Sequence, residues 1–149
     1  MDVQRLLAEE EAGWRELHDV FSQIPPERFE EEGVTPEGWS PKDAMFHIGA
    51  WLAECVAVLE QIAAGSVEDT DVDDDTVEAK NAAWFEMSRA MDPGTVRAEM
   101  EAARAHARRS FGSMATPTRE AWSWFDESGP IHYAEHSGDL RAWLARPVG

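Results

Sequence analysis

WSPKDAMFHIGAWLAECVAVLEQIAAG, residues 39–65, decides the fold. Ser40 ahead of Pro41 reads as a helix N-cap followed by a proline in the first turn, where its missing N–H is no loss. Asp43 stands where a capping-box acid belongs, and Gly65 supplies the C-terminal stop. About 24 residues rising 1.5 Å each make a rod of about 36 Å, long enough to span a small domain.

Working outward, residues 3–24 repeat the helical pattern. Val3, Leu6, Leu7, Trp14, Leu17, Phe21 and Ile24 share a face, with Glu9, Glu10 and Glu11 on the solvated side. Pro25 and Pro26 stop that helix, and an acidic loop leads to Trp39. Beyond Gly65, SVEDTDVDDDT (66–76) is a charge run. A calcium loop counted from Asp69 needs Gly at its sixth place and Glu at its twelfth; Asp74 and Lys80 stand there, so a solvated linker is the reading. A shorter helix follows over 76–91. Thr95 caps a long one to about 115, with Val96, Met100, Ala103, Ala107, Phe111 and Met114 buried. Residues 116–130 read as an aromatic connection, and Ser128 or Gly129 before Pro130 opens the last helix, to about Ala145. No strand alternation, hairpin signal or internal repeat is present. The expectation is all-α: one domain, 1–149, a four-helix bundle with an additional short helix.

At 149 residues the chain is long enough for a real core. Seven tryptophans and an apolar content of 43% argue against disorder. No apolar run approaches the roughly 20 residues of a membrane span, and the acidic N-terminus lacks the pattern of a signal peptide, so a cytoplasmic setting is expected. Thirty acidic against thirteen basic side chains leave a charge of −17, which repels phosphate backbones and anionic lipid. Nucleic acid and membranes are therefore excluded as partners. One cysteine, Cys55, rules out an internal disulfide and a multi-cysteine zinc site; it reads as a buried, inert thiol.

The chemistry lies in IHYAEHSGDL, residues 131–140. His132 and His136 stack on one helix face, with Asp139 a turn further on. In a bundle, metal sites are built from side chains projecting inward from facing helices. His47, two turns into the 39–65 helix among Met45, Phe46, Ile48 and Trp51, is the best third ligand. Three neutral imidazoles suit Zn²⁺, Ni²⁺ or Fe²⁺ and leave positions open for water or substrate. Glu54 and Asp139 each follow a histidine by seven residues, about 10 Å of rise, which suits carboxylates that handle protons or face substrate better than ligands. The competing reading has His47 as a satisfied core histidine and His136 paired with Asp139.

Trp39, Trp51 and Trp84, with Trp14, would line a pocket for a flat ligand or else simply fill the core. Trp51 is on the face of His47. Arg97, Arg104 and Arg108 form a stripe that would hold the carboxylates of a thiol cofactor or pair with acids such as Glu101. Tyr133 points away from His132 and reads as packing; His18 and His106 read as surface.

Taken together, GWSPKDAMFHIGAW (38–51) and HYAEHSGDLRAWL (132–144) resemble the DinB-like superfamily, which includes thiol-dependent S-transferases and the N-terminal domain of mycothiol-dependent maleylpyruvate isomerase. HYAEH with LRAWL, and NAAWFEMSR (81–89), are particularly similar to its ClbS-like branch. The resemblance runs along essentially the whole chain. It implies a four-helix bundle, often a homodimer, with a metal held by His47, His132 and His136 at one end of a central cleft. The expected activity is attack of water or a low-molecular-weight thiol such as mycothiol on a small electrophile, as a detoxifying hydrolase or S-transferase. In the ClbS-like branch the implied activity is hydrolysis of strained electrophiles, which need not depend on metal. The alternatives are a protein that sequesters a toxic small molecule without turnover, and a dimeric scaffold without chemistry.

Overall fold

In the computed structural model, which describes residues 2–67 and 69–147, every regular element is helical. The helices are α1 (Val3–Ser22), α2 (Pro41–Ala63), α3 (Asp74–Arg89), α4 (Pro93–Gly112), α5 (Arg119–Asp126) and α6 (His132–Leu144). A single 3₁₀ turn, Pro26–Arg28, follows α1. The fold is a helical bundle with one additional helix, α3, laid against α2.

The ends of α2 follow from the local chemistry read above. The Ser40 hydroxyl accepts the Asp43 N–H at 3.1 Å, and the Asp43 carboxylate takes the Ser40 N–H at 2.8 Å. Gly65 adopts φ +67°, the left-handed conformation that glycine reaches without a Cβ clash. Asp43 also accepts the buried Ser88 hydroxyl of α3, and the Lys42 ammonium donates to the Met91 carbonyl at 2.9 Å. These bonds tie the α3–α4 junction to the start of α2.

Three boundaries differ from the sequence reading. Asp92, not Thr95, caps α4: its carboxylate accepts both the N–H and the hydroxyl of Thr95 at 2.9 Å. Pro93 prefers the first helical position, so the residue ahead of it becomes the cap. The aromatic connection is itself helical, with Thr118 capping α5 and Ala121 and Phe125 turned inward; Phe125 stacks on Phe111 of α4 at 4.3 Å between ring centroids. The last helix does not open at Ser128 or Gly129 either. The chain passes from α5 to α6 through one wide, π-type turn, Glu127–Ile131, where Gly129 leaves helical geometry at φ −102°, ψ −105°. Pro130 has no N–H to donate, and its ring would strike the preceding turn of a regular helix, so the backbone widens there. α5 and α6 thus form the fourth long rod.

α2 lies centrally, against α3, α4 and α5. A Cβ on Gly49 would stand 3.0 Å from the Met100 Cα, so glycine is what lets α2 and α4 approach so closely. α2 is also long and apolar enough to cross a membrane, unlike the sequence reading, but half of that window is buried inside the bundle. α1 packs on α6 and α4 around a buried carboxylate: Glu10, 1% exposed, receives Arg104, Arg108 and the Tyr133 hydroxyl. Arg104 and Arg108 therefore pair across the bundle with α1, not with Glu101 on their own helix.

Candidate metal centre

His47 sits in the second turn of α2, and His132 and His136 occupy successive turns at the start of α6. The bundle brings the three rings together: Nε2 of His132 lies 2.9 Å from Nε2 of His47 and 2.9 Å from Nε2 of His136. One donor atom from each falls within 4.8 Å of the others. All three are buried, at 8%, 9% and 7% exposure. Trp39 covers the outer side, its ring 4.5 Å from that of His47 and stacked 6.3 Å from that of His136.

Burial sets the charge state. Loss of solvent, with the neighbouring His136, pushes His47 down to about 3. His132 is driven well below its ordinary range by burial and by both neighbouring rings. His136 is lowered by burial, which Asp139 and Glu37 partly oppose. The imidazoles are thus neutral donors at physiological pH.

Neutral rings leave a hydrogen-bonding conflict. His132 Nε2 faces two ring nitrogens, and one proton bridges only one of those pairs well. The Nδ1 atoms of all three rings have no hydrogen-bond partner within the protein, an unusual state for buried polar atoms. A divalent cation that accepts the three Nε2 lone pairs would remove the conflict, and a set of three imidazoles suits zinc, nickel or iron. The residues present therefore fit a metal.

The carboxylates named from sequence fall differently. Asp139 Oδ2 is 3.7 Å from His136 Nδ1, and the side chain is 47% exposed. Glu54 is paired with Lys80 of α3 at 3.0 Å and does not reach the histidines. Trp51 and Trp84 meet edge to face at 5.0 Å, with the Trp51 indole N–H held by Asn81 at 3.0 Å. Cys55 is buried, and desolvation pushes its thiol up to about 12, an inert state. His18 and His106 are about half exposed beside Glu101 and Glu60.

A cavity of about 560 Å³ opens on the triad, with His47 and His132 in its wall beside Trp51, Asn81, Trp124 and Ser128. Asp71, on the loop after α2, and Glu127, on the wide turn, also line it. Trp124, Asn81, Ser128, Asp71 and Glu127 were not among the site residues read from sequence. For two of them a signal existed: Trp124 and Ser128 precede His132 by eight and four residues, a run visible once 119–144 is taken as one continuous helix.

Against known proteins, no family model and no curated protein matches this chain. Among solved structures, the chain is similar to an uncharacterised protein from Escherichia coli UTI89 at 17% identity and a TM-score of 0.78, covering 95% of this chain and 92% of that one. That likeness establishes a shared helical fold.

Proposed function

We propose that this chain is a DinB-like, metal-dependent enzyme that directs water or a small thiol onto an electrophilic small molecule, as a detoxifying hydrolase or S-transferase. The observation that supports it is the convergence of three buried, neutral histidines, two of which, His47 and His132, stand in the wall of a tryptophan-lined cavity. His47, His132 and His136 would hold a divalent ion, which when bound would supply Lewis acidity to activate water or a thiol near neutral pH. The chain's own residues do the rest. Burial keeps the imidazoles unprotonated, and the Asp139 carboxylate, 3.7 Å from His136 Nδ1, supports that ring electrostatically. Trp51 and Trp124 pack the apolar body of the ligand, and Asn81 fixes the Trp51 indole. Glu54 is committed to Lys80, so it holds α3 on α2 and Asp139 is the carboxylate assigned to the histidines. Arg104 and Arg108, taken up by Glu10, do not recognise a cofactor. The resemblance carries the homodimeric setting of the proposal, and the sequence pattern its cytoplasmic one.

The test is consumption of a panel of epoxide and haloalkane electrophiles, with water alone and with a thiol, by metal-loaded wild type and His47→Ala. Turnover lost in the variant supports the enzyme. The cavity itself favours a second reading, sequestration without turnover; binding without consumption, equal in wild type and variant, would establish it.

A further inference from the structure

The cavity beside the triad has walls of unusual chemistry. Two indoles, Trp51 and Trp124, are held in place by their own N–H groups: Trp51 donates to Asn81 at 3.0 Å, and Trp124 to the Thr70 carbonyl at 3.2 Å. Among the described residues no lysine or arginine stacks on either indole; Lys80 lies over Trp84 and is paired with Glu54. Among the described residues, the carboxylates in the wall are Asp71 and Glu127, and no lysine or arginine lines it. Among the described residues neither carboxylate has an ion-pair partner within 4.0 Å. The sequence reading took the acidic run around Asp71 as a solvated linker. Its aspartates are indeed exposed, and the Thr70 carbonyl accepts the Trp124 indole N–H, so that the neighbouring Asp71 lines the cavity. His47 and His132, both buried, also line it, so the wall includes buried polar groups as well as the indoles.

Aromatic faces attract cations through their quadrupole, and carboxylates at the same opening add attraction while repelling anions. We propose that this cavity selects an organic cation: a substituted ammonium carried on a flat, apolar body. The body lies against Trp51 and Trp124, and the charge sits between the indoles and the Asp71–Glu127 rim. A volume of about 560 Å³ is that of a small-molecule site. The inference rests on reading this cavity as the substrate site, but it needs neither metal nor turnover.

The experiment compares three probes of similar shape: benzyltrimethylammonium, its uncharged isostere neopentylbenzene, and phenylacetate. Binding is followed by tryptophan fluorescence at about 0.15 M salt, where the field of the whole acidic surface is screened beyond about 8 Å. Wild type is compared with an Asp71→Asn/Glu127→Gln variant, with metal content measured on both. The ammonium is expected to bind at one site, about tenfold more tightly than the neutral isostere, with phenylacetate weakest. The double variant should lose most of that preference, keep its affinity for neopentylbenzene and keep its metal. Equal binding of the charged and neutral probes, or a preference unchanged in the variant, overturns cation selection and leaves the metal reading standing. Failure of all three probes to bind overturns both this inference and the assignment of the cavity as a substrate site. Loss of metal in wild type with cation preference intact would overturn only the metal reading.

Discussion

Replacing Glu10 by glutamine should destabilise the protein by about 3 kcal/mol. Its carboxylate takes four hydrogen bonds: Arg104 at 2.9 and 2.7 Å, Arg108 at 2.7 Å and the Tyr133 hydroxyl at 2.9 Å. Breaking a buried ion pair by removing one partner typically costs about 3–5 kcal/mol, because the other charge stays desolvated. Two features pull the figure to the lower end. Arg104 keeps Glu11 at 2.5 Å, and Arg108 keeps the Leu7 carbonyl at 3.0 Å. The stranded Tyr133 hydroxyl, in a residue wholly buried, works in the other direction at about 1–3 kcal/mol. For a domain of this size about 3 kcal/mol corresponds to a melting temperature lower by roughly 6–12 °C. Urea unfolding followed by circular dichroism measures it, with the slope unchanged if unfolding stays two-state. Tyr133→Phe alone should cost about 1 kcal/mol, and the double variant less than the sum, since both act on one network. A loss below about 1 kcal/mol for Glu10→Gln would mean that the carboxylate is not the buried anchor of α1 on α4 and α6.

Acid should unfold the metal-free protein from its histidines: with His47 at about 3 folded and 6.5 unfolded, the unfolded chain binds the extra proton between those values. Stability is then complete above about pH 6.5 and falls as pH drops towards 3, measured by urea midpoints across that range. Gly49→Ala should cost about 1–3 kcal/mol, because the new Cβ meets the Met100 backbone and α2 and α4 must separate; a midpoint equal to wild type would contradict that close approach. Asp139→Asn, on an exposed side chain, should change stability by under about 0.5 kcal/mol yet weaken metal affinity about tenfold or more, read by competition with a chelator.

What the sequence made legible was local. Ser40, Pro41, Asp43 and Gly65 mark the ends of α2 by chemistry contained within a few residues, and the structure keeps all four in those roles. The histidines were legible for a similar reason: spacing of four puts His132 and His136 on one face, and His47 stood out as an imidazole in an apolar helix. What was hidden depended on distant parts of the chain. Nothing near Arg104 says that its partner is Glu10, ninety-four residues away. α5 is eight residues long, too short for its period to stand out among three closely spaced aromatics, and Gly129–Pro130 looks like a break although the chain carries its helical course through it. Missing that continuity hid Trp124 and Ser128, and with them one wall of the cavity. Thr70 is held by a long-range bond from the Trp124 indole, which its own neighbours do not announce, so Asp71 could not be placed from the local sequence.

The most direct measurement is metal content by mass spectrometry on protein purified without a histidine tag, beside His132→Ala and His47→Ala variants whose helicity is checked by circular dichroism. Three converging neutral imidazoles predict about one zinc, nickel or iron per wild-type chain, lost from both variants while they remain helical. Wild-type protein that stays metal-free after each ion is added back, or variants that retain the metal, would contradict it.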